Sequence, residues 1–171
     1  MILQMDRWLG AYAKLVKDVF PDSDAEYPGT GAAGGLGFAF RSFTDAELES
    51  GIRIILEQTH LEDFIKDADL VITGEGRLDA QTVMGKGPSG VAAIAKKYGK
   101  PVVALAGSIR EDAGVCNEHG IDAFFPILQR VCTLEEAMDP ETARRNMADT
   151  AEQVMRLFLA GRRMVIGDVS D

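Results

Sequence analysis

"DLVITGEGRLDAQTVMGKGPSGVAAIAKKYGKPVVALAG", residues Asp69 to Gly107, decides the fold. Its apolar start, "DLVIT", has the character of a short buried strand, and at Thr73 it gives way to a loop in which charges sit among glycines. "PSGVAAIAKKYG" then reads as a helix, with Pro88 in the first turn and Gly99 as its C-terminal stop. "PVVALAG" is a second strand, "DAGVCNEHG" a short helix ending at Gly120, and "DAFFPI" a third strand. Thr133 and Glu136 have capping-box spacing, and Asp139 with Pro140 opens a long helix, "ETARRNMADTAEQVMRLFLA". Strands and helices alternating at this spacing predict a right-handed parallel α/β layer. Three strands are thin beside the five or six of a typical sheet, so some of the layer is expected to lie outside this chain. The last stretch, residues 161–171, reads as a tail.

Working back toward the start, the pattern changes. Met5, Trp8, Leu9, Tyr12, Leu15, Val16 and Val19 recur at three and four, which predicts a helix that Pro21 ends. Trp8 and Tyr12 are expected as core or interface contacts. "GTGAAGGLGFAF" follows, with glycine at 29, 31, 34, 35 and 37. Thr44 and Glu47 again show capping-box spacing, and "GIRIILEQTHLEDFIKDA" predicts one broken helix or two short ones. Residues 1–68 therefore read as a helical, glycine-rich portion, set apart from the α/β portion at 69–160.

Composition narrows the class. The chain has 171 residues, 46% of them apolar, and a formal net charge of −9, which suits a globular protein and disfavours nucleic acid or an anionic membrane as partner. No apolar run approaches the ~18 residues of a membrane span. The start lacks the basic and small-residue features of a signal peptide, so the cytoplasm is the expected compartment. Cys116 and Cys132 make no C-x-x-C pair and are expected as free thiols. His60 and His119 are far apart without other ligand types nearby, which argues against a histidine metal site or a Ser/His/Asp triad.

Charge is unevenly spread. Between Gly74 and Arg110 stand Arg77, Lys86, Lys96, Lys97, Lys100 and Arg110 against only Glu75 and Asp79, a local excess of +4 in an acidic chain. Lys96, Lys97 and Lys100 suit the last turn of a helix, where cations complement the dipole. Arg77 and Lys86 lie in the glycine-rich loop, where that explanation fails.

Known short motifs do not absorb this loop. "GTGAAG" (Gly29 to Gly34) spells the dinucleotide fingerprint, but no strand precedes it. It reads either as a tight turn with close helix packing or as a backbone anion site. "GKG" at 85–87 fails as a Walker A loop, because Ala80 stands where glycine is needed and Gly87 where Ser or Thr is needed. Ser89 is not in a nucleophile elbow, since Val91 replaces the required glycine. What remains is Glu75 and Asp79, carboxylates suited to Mg²⁺ or to a hydroxyl proton, with Arg77 and Lys86 suited to phosphate or carboxylate oxygens. Phosphoryl transfer uses this mixture. The alternative is a salt bridge within the loop, worth about 0–1 kcal/mol if exposed.

"PGTGAAGGLGFAF", the Asp69 to Gly107 stretch and "GIDAFFPI" closely resemble the C-terminal part of the bacterial glycerate kinase family, over about Met1 to Leu159. That resemblance implies a flavodoxin-like domain built from both chain ends and a middle domain of restriction-enzyme-like topology. Residues 1–68 would be the C-terminal portion of the middle domain and 69–160 that of the flavodoxin-like one. The family's "DSFKG"-like and "GGSATND"-like segments have no counterpart here, so this chain is expected to be a C-terminal fragment. The implied activity is ATP- and Mg²⁺-dependent phosphorylation of glycerate. Arg77 and Lys86 are the expected anion binders, Asp79 the proton acceptor or Mg²⁺ contact, and Glu75 the second choice for that role. Gly29, Gly31, Gly34 and Gly35, with Thr73, Gly74, Gly76, Gln81 and Thr82, are expected to contact substrate or nucleotide. The other reading is a ligand-binding or assembly module, a homo-oligomer or the partner of an N-terminal half, whose unpaired sheet edge is covered by that partner.

Overall fold

The computed structural model of the chain describes residues 1–44 and 46–167, with side chains described through Arg163. Its contacts divide it into two compact units, Met1–Ile54 and Ile55–Asp171.

In the first unit, α1 (Ile2–Val19) ends where Pro21 requires it to. Val16 is buried, and Tyr12 meets Phe38 edge-to-face with ring centroids 5.7 Å apart. Trp8 stays 64% exposed and lies outside the core, while Tyr12 is half-buried. The glycine stretch builds α2 (Ala32–Phe43), whose first turn has left-handed backbone at Ala33, Gly34 and Gly35. A Cβ at Gly37 would lie 2.4 Å from the Gly29 carbonyl oxygen, and one at Gly35, which has φ 92°, would lie 2.9 Å from Leu9. At Gly35 and Gly37 the turn-and-packing reading thus has a geometric basis. Thr44 opens no helix: its hydroxyl donates back to Phe40 O at 2.6 Å and accepts from Ala46 N at 3.2 Å, and α3 (Gly51–Gln58) starts later. The expected capping box with Glu47 fails because the hydroxyl is committed to ending α2.

The second unit carries the α/β layer. The boundary at Ile54 falls within α3; α3 and α4 (Leu61–Lys66) are two short helices, broken where His60 takes a left-handed φ of 51°. Among the described residues the sheet has three parallel strands in the order β1-β2-β3: β1 (Val71–Leu78), β2 (Val102–Ile109) and β3 (Ala123–Pro126). Helices α5 (Gly87–Lys97) and α6 (Val115–Glu118) lie between them in sequence; α7 (Leu134–Met138) and α8 (Pro140–Gly167) follow. Helix α8 continues past Ala160, through residues read from sequence as a tail. Side chains alternate along β2 as a two-faced strand requires. Val102, Ala104 and Ala106 join Ile65, Ala92, Ala95 and Cys116 on one face, while Val103 and Leu105 join Ile127 and Val154 of α8 on the other. The result is a mixed α/β architecture, a parallel sheet flanked by helices. No helix among the described residues is long and apolar enough to cross a membrane.

Candidate functional site

The first strand does not end at Thr73, as its apolar run suggests, but continues to Leu78. Pairing with β2 continues through Glu75↔Ala106, Arg77↔Ser108 and Leu78↔Ile109. "GEG" looks like a turn by propensity, but its first glycine is there for the sheet: a Cβ on Gly74 would sit 2.4 Å from Leu105 O. Gly107 is in the same position, where a Cβ would meet Gly76 O at 2.6 Å. Gly76 itself has open space. Glu75 and Arg77 are therefore strand residues two apart, sharing a face, and the connection to α5 begins only at Asp79.

Asp79 is 4% exposed and caps a 3-10 turn, Ala80–Val83. Its Oδ1 accepts from Gln81 N at 3.0 Å and lies 3.7 Å from Lys86 Nζ, while its Oδ2 accepts from Arg77 Nε at 3.2 Å. Burial pushes this carboxyl's pKa up, but the Gln81 N–H, Lys86 and Arg77 together outweigh it and hold the group below the ordinary aspartate value. Arg77 and Lys86 remain 58% and 41% exposed by side chain, so each presents its outer surface to solvent while its inner side is anchored. Lys86 is also the N-cap of α5, and its carbonyl accepts from Ser89 Oγ at 2.9 Å.

Glu75 is held differently. Its Oε1 accepts a hydrogen bond from the Thr82 hydroxyl, which in turn accepts from Asp79 N at 3.2 Å. No described residue occupies Glu75 Oε2. Thr82 is fully buried, and so is Cys116, whose thiol donates to Asp79 O at 3.8 Å. Burial first, then the nearby charges of Glu75, Asp79 and Asp112, push the Cys116 thiol above its ordinary pKa, so it serves as a packed neutral donor. No local sequence signal marks Cys116 beyond a free thiol, because its proximity to Asp79 arises from α6 packing on the 3-10 turn.

Of the residues named from sequence, Glu75, Arg77, Asp79, Gln81, Thr82 and Lys86 converge at the carboxyl end of β1, which is where open parallel sheets collect ligands. Thr73 lies mid-strand opposite Ala104, and Gly74 is backed by the β2 backbone. Gly29, Gly31, Gly34 and Gly35 belong to the other unit. Among the described residues no group of three or more His, Cys, Asp or Glu could hold a metal ion.

A family model described as the glycerate kinase family matches residues 1–159. The chain belongs to the glycerate kinase family. It is 47% identical over 161 residues to the glycerate 2-kinase of Escherichia coli K12, covering 91% of this chain and 42% of that protein. It is 42% identical over 166 residues to the glycerate kinase of Bacillus subtilis 168, covering 97% and 43%. A crystal structure provisionally assigned as glycerate kinase 2 from Salmonella typhimurium LT2 superposes with a TM-score of 0.63 at 42% identity, over 90% of this chain and 38% of that one. The chain thus spans about two fifths of the length of the relatives it matches.

Proposed function

We propose that this chain contributes to an ATP-dependent phosphorylation of glycerate, with the β1 carboxyl end gripping anionic oxygens. One observation carries the reading: two cations, Arg77 and Lys86, are anchored on a single buried carboxylate yet keep their outer surfaces open. Anchored cations suit phosphoryl transfer, in which most catalysis is positioning and charge neutralisation. Guanidinium and ammonium also suit the carboxylate of a small hydroxy acid. That relatives covering most of this chain are named glycerate kinases selects the acceptor.

In this reading the two carboxylates take roles opposite to those expected from sequence, and the hydrogen bonding supports it. Asp79 has both oxygens engaged by Arg77, Lys86 and Gln81 N, so it scaffolds the cations. Glu75 keeps Oε2 for a hydroxyl proton. The same oxygen fits an Mg²⁺ that arrives with a nucleotide, since Mg²⁺ is usually bound by one or two carboxylates plus substrate phosphates; Asp79 does not fit it. When bound, that ion would neutralise phosphate charge.

The test is ADP release from MgATP with glycerate present, alongside calorimetric binding of MgATP to the chain. Arg77→Ala and Lys86→Ala should each weaken turnover or binding; unchanged values in both would remove these residues from the site. The assembly-module reading draws on one feature, the outer edge of β1, which pairs with no described strand. Light scattering showing a heat-stable monomer would weigh against that reading.

A further inference from the structure

We infer that Thr82 is a positioning residue which sets the Glu75 carboxylate and never touches ligand; this rests on the reading of Glu75 as the carboxylate that faces substrate. A hydroxyl has one proton to give and lone pairs to receive. Asp79 N–H fills a lone pair of Thr82 Oγ1 at 3.2 Å, and the single proton then goes to Glu75 Oε1. With Thr82 fully buried, no solvent or ligand atom competes for that proton.

Thr82 is itself fixed from several sides. Its own N–H donates to Asp79 O at 3.0 Å, the carbonyl that also receives the Cys116 thiol. β-Branching restricts its χ1 further. A Glu carboxyl on a strand would otherwise rotate freely about its last torsion; pinning Oε1 inward aims Oε2 outward, on the same face as Arg77. The capping box of the 3-10 turn therefore does a second job, transmitting the backbone position of Asp79 to the carboxylate of Glu75. The residue spacing contains this device: Glu75, Asp79 and Thr82 are the acceptor, the amide donor and the hydroxyl that joins them.

Thr82→Val keeps shape and removes the hydroxyl; Thr82→Ser keeps the hydroxyl. In the full isotope-labelled chain, Thr82→Val should move the Glu75 side-chain carboxyl carbon resonance and speed hydrogen exchange at the Asp79 amide about three- to tenfold, the scale of one lost hydrogen bond. Thr82→Ser should leave both near wild type. A Glu75 resonance unmoved in Thr82→Val overturns the inference. If Thr82→Val does not fold, Glu75→Gln takes its place, since Glu75 is only partly buried: the Thr82 Cβ and hydroxyl resonances must shift, and their constancy is equally fatal. Kinetics adds a coupling test, in which Thr82→Val should add less than about twofold to the loss already caused by Glu75→Gln; multiplicative losses overturn the inference. A wild-type chain that neither turns over nor binds MgATP would count against the proposed function, while the resonances would still decide the role of Thr82.

Discussion

Arg77 and Asp79 are joined by a hydrogen bond of 3.2 Å between an exposed guanidinium and a buried carboxylate, two residues apart across the end of β1. The pairing is asymmetric in burial, and the asymmetry separates scaffold from ligand surface. Replacing Arg77 with Ala removes the open cation and should lower turnover about 10²-fold, the usual scale for losing a group that stabilises transition-state charge, with the urea midpoint falling less than in Asp79→Asn because Lys86 and the Gln81 N–H still serve the buried carboxylate. Lys86→Ala should behave alike. Steady-state ADP release paired with urea titration checks both halves of the expectation.

Asp79→Asn should fail differently. Oδ1 can still receive the Gln81 N–H, but the charge that organises Arg77 and Lys86 is gone, so turnover and the urea midpoint should fall together. Glu75→Gln, at a partly buried position, should lower turnover with the midpoint nearly constant. If Asp79→Asn kept wild-type stability while abolishing turnover, Asp79 would be a ligand contact and not the scaffold of Arg77 and Lys86.

The glycines of "TGEG" make a sharper stability prediction, because neighbours in sequence meet opposite environments. A methyl at Gly74 or Gly107 would drive into the backbone of the adjacent strand at 2.4 or 2.6 Å, and backbone cannot step aside as a flexible side chain can. Each Gly→Ala there should cost about 1–3 kcal/mol or more. Gly76→Ala meets nothing within 4 Å and should stay within about 0.5 kcal/mol. Chemical denaturation of the three variants decides it; equal effects would mean that strand contact is not the reason for these glycines.

Leu78 offers a test of how firmly the site is fastened to the core. It is fully buried in the cluster that includes Ala92, Ala95 and Cys116, and it directly precedes Asp79. Leu78→Ala should cost about 2–5 kcal/mol, measured by urea unfolding.

These sites also show what sequence reading can reach. The order of strands and helices from Val71 to Pro140 was legible because period-two and period-3.6 patterns are local, as was the Thr133–Glu136 capping box, where Glu136 N donates to Thr133 Oγ1 at 3.2 Å. The identical spacing at Thr44 misled, since spacing alone does not show that its hydroxyl turns back to the carbonyl of Phe40, four residues earlier. Stopping the strand at Thr73 was an error of the same kind: glycine's weak strand propensity is a local fact, whereas the close approach of Gly74 to Leu105 O is a contact across more than thirty residues of chain. The charged residues were recognised, but their roles depend on burial, and burial distinguishes Asp79 from Glu75 only once Thr82 and α6 are in place.

Acid should expose the contribution of a second carboxylate, far from the charged cluster. Asp122 Oδ2 accepts from Val102 N at 2.6 Å and pairs with Lys96 Nζ at 2.5 Å, so it ties the start of β2 to the approach of β3 and to the end of α5. Burial acts to raise its pKa, but Lys96 and the Val102 N–H prevail and lower it, as the cations and Gln81 do for Asp79. A carboxyl whose pKa is lower folded than unfolded is protonated first in the unfolded state as pH falls. Its stabilisation is therefore present above the unfolded value, about 3.9, and disappears as pH drops through the folded one. Asp122→Asn keeps an oxygen for Val102 N and removes only the charge, so its deficit in urea stability should be full at pH 7 and shrink below about pH 4, where the unfolded wild type begins to take up a proton. A deficit that stays constant from pH 7 to pH 3 would mean that shape, not charge, carries the Asp122 contribution.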